Sequence, residues 1–305
     1  MVGAQAPAGA RRRRRWGGGD TGAAVVFLGP SFLFLTAFIF FPLVYLFYIS
    51  VLNWNLLSPP TFAGMHNYTH LLASPYFLNA VRNTVLFTVG AMVLILPAAF
   101  AAAMLLNVPL RERALYRSAL FAPYVFPLVA SGVAWSLMFQ PQVGIVDWVL
   151  SKFGIHGPNW LSSGHWALIA VIIVTAWQYF GFYALIFLAG LQALPGEIME
   201  AADVDGAGGL TKTLRITLPL ISPSFFFAMV ILVIGSFQVF TQVFVMTSGG
   251  PGSSTTTIVY YLYREAFQYF EMGRAAAVAV MLLLGLVVMT LLQLWASRRW
   301  VHHEA

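Results

Sequence analysis

The residues that could do chemistry are few and unevenly spread. Four of the ten acids, Glu197, Glu200, Asp203 and Asp205, fall within nine positions. Beside them, Gly206-Ala-Gly-Gly-Leu-Thr-Lys212-Thr213 approaches the phosphate-binding pattern GxxxxGK[ST]. Thr211 stands where that pattern needs glycine, and a helical stretch rather than a strand precedes it. Backbone N–H groups could not converge on a phosphate at such a turn, so no nucleotide site is read here. His66 and His70 have i, i+4 spacing, but neither a cysteine nor an acid stands near them to complete a metal set. Zero cysteines exclude disulfides, thiolate catalysis and Cys-based metal sites. HExxH and GxSxG are both absent. The chain reads as a non-enzyme with no catalytic residues and no metal site.

Two apolar stretches carry polar groups near their middles: Gln178 and Tyr179 in one, and Ser236, Gln238, Thr241 and Gln242 in the other. Amides and hydroxyls at membrane depth need partners. They either bond a neighbouring helix or line a wet site for a neutral, hydroxyl-rich solute, with aromatic faces stacking on sugar rings and amides binding hydroxyls. Phe182 follows Gln178 by one helical turn, and Val239 and Phe240 follow Ser236 by one, so each helix can present a mixed face.

The elements that must hold these groups are membrane helices. The chain is 60% hydrophobic and 9% charged, against roughly 25% charged in soluble domains. Its net charge of +6 is a matter of topology, and nucleic acid is not an expected partner. Six spans are expected, over roughly 23–51, 84–106, 117–139, 166–190, 221–246 and 275–296, each near the ~20 residues that cross the bilayer core. With no water there to satisfy the backbone, the fold class is an all-α polytopic bundle. Kinks are expected at Pro30, Pro42, Pro97, Pro123 and Pro127. No acid lies within a span, which argues against an ion-coupled relay.

Twelve of the sixteen Lys and Arg residues, including the run Arg11–Arg15, lie on the side that places both termini in the cytoplasm. Residues 1–22 read as a disordered basic tail, 23–296 as the membrane domain and 297–305 as a C-terminal tail. The acidic segment then falls in a cytoplasmic loop over about 191–220, longer than a plain helix connector needs. Locally it reads as two short helices and a turn. Pro195 suits the first helical position, Glu197 and Glu200 favour the positive end of the dipole, and Gly206 ends the first helix in the left-handed region. Ile198, Ala201 and Ala202 are expected to form one small face for a close-fitting partner.

Glu200-Ala201-Ala202, Gly206 after three residues, Ile216 after nine more, and then Leu218-Pro219 resemble the EAA signature of permease subunits of bacterial ABC importers. Phe62-Ala63-Gly64-Met65-His66-Asn67-Tyr68, Thr247-Ser248-Gly249-Gly250-Pro251 and Tyr263-Arg264-Glu265-Ala266-Phe267 look like its carbohydrate-uptake, maltose-type branch. The resemblance implies a multi-pass subunit of a bacterial or archaeal cytoplasmic membrane, paired with a second homologous permease as a heterodimer. It also implies two copies of an ATP-binding subunit, which hold ATP and Mg, and an extracytoplasmic solute-binding protein. By the same resemblance Glu197, Glu200, Ala201, Ala202, Asp205, Gly206, Ile216, Leu218 and Pro219 belong to the ATPase-coupling loop. Gln178, Tyr179, Phe182, Ser236, Val239 and Gln242 belong to the path of a carbohydrate or polyol, with Val239 where the family pattern has an amide. The alternative is a stand-alone carrier or channel for a small neutral solute.

Overall fold

The computed structural model describes residues 18–108 and 111–298. The run Arg11–Arg15 and residues 299–305, on which the tail expectations rest, lie outside the described residues. The chain divides into two compact units, residues 1–48 and 49–305. In the first, α1 (Gly18–Leu35) passes through a π-helical turn (Thr36–Phe40) into α2 (Phe41–Ser50). That turn ends two residues before Pro42. A proline ring crowds the carbonyl four residues back and offers it no N–H, and widening the helix by one residue relieves both problems.

The second unit opens with a departure from the all-helical expectation: a two-stranded ribbon, β1 (Leu52–Asn53) antiparallel to β2 (Thr61–Phe62), with Leu52 opposite Phe62. There follow α3 (His66–Ala73), α4 (Pro75–Asn107), α5 (Arg113–Val125), α6 (Leu128–Met138), α7 (Ile145–Lys152) and α8 (Trp166–Gln192). The loop after α8 holds α9 (Gly196–Val204) and α10 (Gly209–Lys212), then a π turn (Thr213–Thr217) leading to α11 (Leu218–Leu220). The chain closes with α12 (Ser222–Phe237), α13 (Thr241–Met246), α14 (Ile258–Tyr263), a π turn (Arg264–Gln268) and α15 (Met272–Ser297).

Among the described residues, four helices are long and apolar enough to cross a membrane: Ala24–Ser50, α4, α8 and α15. Two bent pairs raise the number to six if each is one span. The expected helix over 117–139 is one of these pairs, since α5 and α6 meet at 92°. Phe126 is extended at φ −66°, ψ 141°, the conformation forced on a residue before proline, so Pro127 produces a corner rather than a kink. The expected helix over 221–246 is interrupted as well. α12 stops at Phe237, Gln238–Phe240 leave the helix, and α13 resumes at Thr241. α4 starts nine residues before the expected span because Ser74 caps it, its Oγ accepting from Phe77 N, with Pro75 at the first turn.

Small residues let the helices approach closely, as they must where lipid supplies no hydrophobic drive. Ala91, Ala99 and Ala103 on α4 and Ala184 on α8 are wholly buried in one core with Phe187 and Leu232. Gly181 of α8 lies against the α5 backbone, where a Cβ would stand 1.8 Å from Leu120 O. The segments resembling the maltose-type branch tie the ends together. Asn67 Nδ2 donates to Ser50 O (2.9 Å) and Leu52 O (2.8 Å). Thr256 Oγ1 donates to Gly249 O (3.0 Å), and Asn83 Nδ2 donates to Ser253 O (2.9 Å) and Thr256 O (3.1 Å). Glu265, buried, lies 3.1 Å from Arg274 Nε, close enough for an ion pair although the N–H is not aimed at the oxygen. Burial first, and then the Glu265 carboxylate, push the Tyr261 phenol up to about 12, so it stays a hydroxyl.

Candidate functional site

A cavity of about 150 Å³, part of it open to the outside, lies where α4, α6 and α8 face the break between α12 and α13. α8 contributes Thr175, Tyr179 and Tyr183, which at i, i+4 and i+8 form one stripe. The other wall is Gly235 and Ser236 at the end of α12, the non-helical Gln238–Phe240, and Thr241 and Gln242 of α13. Irregular backbone at membrane depth is tolerated where it lines a cavity or is satisfied by protein. Here the Val239 carbonyl accepts from Thr257 Oγ1 at 3.1 Å, and Gln238 N donates back to Gly235 O at 3.2 Å. The Tyr179 hydroxyl meets the Gln242 side chain across the cavity. Gly235 leaves open space, since a Cβ there would meet nothing within 4 Å. None of the lining side chains is charged.

Of the sequence-derived path residues, Tyr179, Ser236, Val239 and Gln242 line this cavity. Gln178 and Phe182 do not. Gln178 is 2% exposed and its Nε2 donates to Pro123 O and, at 3.1 Å, to Phe126 O. These are carbonyls at the corner that Pro127 imposes, so this amide holds the break in α5–α6. Phe182 stacks on Tyr124, with ring centroids 4.8 Å apart at 12°, and Tyr124 meets Tyr179 edge-on at 5.7 Å. It therefore braces the cavity wall from behind. The polar lining residues missed from sequence are Thr175 and Tyr183. Their spacing from Tyr179 was visible, but the Gln178 amide drew attention to the neighbouring face.

At the other end of α12 the loop over 191–220 is built locally. Pro195 is the N-cap of α9 at φ −61°, ψ 127°, one position before the place expected for it. Gly206 has φ +72°, Ala207 N donates to Ala202 O (3.0 Å) and Gly206 N to Asp203 O (3.1 Å). This paired closure needs the left-handed residue that glycine supplies. Lys212 Nζ binds both Asp203 oxygens at 2.8 Å and joins α9 to α10. The π turn Thr213–Thr217 ends two residues before Pro219, the same offset as at Pro42. Glu197, Glu200, Ala201, Asp205 and Gly206 are exposed, and Ile216, Leu218 and Pro219 are half-buried. The expected face of Ile198, Ala201 and Ala202 is not formed as one surface, because Ala202 is turned inward and 5% exposed. The most exposed large apolar groups of the loop are Val204 and Leu210, 87% and 76% exposed.

His66 and His70 lie one turn apart, their rings tilted by 45° with centroids 6.3 Å apart, and among the described residues no group of three His, Asp or Glu side chains converges.

Residues 25–302 match the family described as binding-protein-dependent transport system inner membrane component. The sulfoquinovosyl glycerol transport system permease protein of Agrobacterium fabrum is 36% identical over 266 residues, covering 87% of this chain and 86% of that protein. The arabinooligosaccharides transport system permease protein of Bacillus subtilis is 33% identical over 280 residues, covering 90% and 88%. In fold, a chain of the bacterial alginate ABC transporter, solved with an alginate pentasaccharide-bound periplasmic protein, superposes with a TM-score of 0.82. That superposition covers 96% of this chain and 100% of the other at 22% identity. With the family matched over nearly its whole length, this chain belongs to the binding-protein-dependent transport system inner membrane components.

Proposed function

We propose that this chain is one of two different permease subunits of an ATP-driven importer that moves an uncharged carbohydrate or related polyol across a bacterial cytoplasmic membrane. Six spans over 23–296 form the membrane domain, with the tails 1–22 and 297–305 in the cytoplasm. The solute-binding protein docks on the outer loops. Of two copies of an ATPase, holding ATP and Mg, one binds the loop at 191–220 through Glu197, Glu200, Ala201, Asp205 and Gly206, with Val204 and Leu210 as apolar contacts.

The observation that carries this reading is mechanical continuity. The loop ends in Ile216, Leu218 and Pro219, α12 begins at Ser222, and the far end of α12 is the cavity wall at Gly235 and Ser236. A push on α9 and α10 is delivered along sixteen residues, about 24 Å of helix, to the wall that contacts solute. Relatives include permeases named for a sulfonated glycoside and for neutral oligosaccharides. The uncharged lining favours the neutral class at this subunit's half of the cavity, because a buried anion without a cation is costly.

The test is reconstitution of the complete importer in proteoliposomes with the variants Gly206→Pro and Glu200→Arg. Both should lose solute-stimulated ATP hydrolysis and uptake while still inserting and assembling. Wild-type coupling in both would overturn the assignment of the loop.

A further inference from the structure

At the loop end of the bundle, α5 places Arg113 and Arg117 one turn apart, both reaching the end of α8. With its oxygen turned toward the donors, the Gln192 amide accepts from Nη2 of both. Arg113 Nε donates to Leu106 O at 2.9 Å, near the end of α4. These acceptors are neutral, and the negative ends of two helix dipoles offset the charge only in part. Among the described residues the ion pairs join Lys212 to Asp203 and Arg274 to Glu265 and Glu271, and none includes Arg113 or Arg117. Arg117 Nε is buried without a hydrogen-bond partner.

An apolar groove of about 610 Å³ adjoins this pair, lined by Leu105, Leu106, Tyr116, Ala119, Leu120 and Phe180 among others from α4, α5 and α8. It is continuous with the arginines on two counts. Leu106, which lines it, is the acceptor for Arg113, and Arg113, Tyr116, Arg117 and Leu120 share one stripe at i, i+3, i+4 and i+7. From Arg113 to Pro123, the deepest α5 residue of the lining, ten residues rise about 15 Å. That is the depth of one leaflet in a hydrocarbon core of about 30 Å.

We propose that this groove holds an anionic phospholipid, its phosphate on Arg113 and Arg117 and an acyl chain along α5. The dimensions accept any phospholipid, and guanidiniums with no carboxylate partner among the described residues select the anionic headgroup. A partner subunit filling the same groove would have to bring a carboxylate to the pair.

The experiment takes the assembled importer, delipidated in detergent, and reads retained lipid by native mass spectrometry against phosphatidylglycerol and phosphatidylcholine with identical chains. Phosphatidylglycerol should be preferred. Arg113→Gln with Arg117→Gln should lower that preference about 30-fold, what two arginines contribute near an anionic headgroup. Arg113→Lys with Arg117→Lys should keep most of it, and Ala119→Trp should reduce binding of both lipids by filling the groove. Equal binding of the two lipids, or an unchanged preference in the double Gln variant with the assembly intact, would overturn the proposal. So would displacement of the lipid by inorganic phosphate alone, which marks a free-anion site. Retention of lipid by the isolated chain but not by the assembled importer would instead give the groove to the partner subunit.

Discussion

Replacing Gly181 with alanine tests how the corner in α5–α6 is held. The new Cβ would stand 1.8 Å from Leu120 O and 2.6 Å from Leu120 C, both backbone atoms that cannot swing aside. Ordinary contact begins at 3.4 Å, so α5 must move from α8 by about 1.6 Å, past the reach of a normal hydrogen bond. Gln178 sits one turn earlier on the same helix, and the bond from its Nε2 to Phe126 O is 3.1 Å long. A displacement of that size breaks it, along with the bond to Pro123 O. Overpacking costs about 1–3 kcal/mol, and the lost bonds add about 1–2 kcal/mol, near the upper end measured between membrane helices. Gly181→Ala should therefore destabilise the chain by about 3 kcal/mol. Gln178→Ala alone should cost about 1–2 kcal/mol, but almost nothing once Gly181→Ala is present, because the bonds it removes are already gone. The assay is a double-mutant cycle on unfolding in mixed detergent and SDS micelles, with solute uptake measured alongside. Additivity of the two substitutions within about 0.5 kcal/mol would refute the claim that the Gly181 contact positions the Gln178 bonds.

Gly235→Leu places a side chain where a Cβ meets nothing within 4 Å, so it should leave unfolding within about 0.5 kcal/mol of wild type and abolish uptake by occupying the cavity. Transport at the wild-type rate with the leucine in place would show that the solute passes elsewhere. Glu265→Gln removes a carboxylate that is 5% exposed and leaves Arg274 with Glu271 alone, at 3.2 Å. Because the Arg274 side chain is 27% exposed, the loss should be about 2 kcal/mol, short of the 3–5 kcal/mol of a fully buried pair. Thermal unfolding of the purified chain reads it, and an unchanged midpoint counts against the pair as a fastening of the π turn at Arg264–Gln268 to α15.

What sequence conveyed well was whatever depends on near neighbours. The apolar runs place α4, α8 and α15, since a long apolar segment in lipid has no alternative to a helix. Gly206 is legible because the closing bonds of α9 come from residues within five positions of it. Pro219 gave no sign of the π turn ahead of it, which depends on where the helix could widen. The interruption at Gln238–Phe240 had no local sign. It contains neither glycine nor proline, and its stranded Val239 carbonyl is satisfied by Thr257, eighteen residues on. Gln178 illustrates the same limit from the opposite side. An amide at mid-span fits a solute or a neighbouring helix equally well in sequence, and only its pairing with carbonyls 52 and 55 residues away decides between them.

The two alanines of the loop over 191–220 separate for a geometric reason. Successive residues on a helix lie about 100° apart, so Ala201 and Ala202 cannot both point at an external partner when α9 also rests on its own chain. Ala202 takes the inward position, 5% exposed, and accepts from Ala207 N in the closure at Gly206. Ala201 is left outside with Glu197, Glu200 and Asp205. The smallness of one alanine thus serves the packing of this chain, while the other remains available to a surface pressed against it. A motif that reads as one contact patch in sequence therefore answers two separate constraints in the fold.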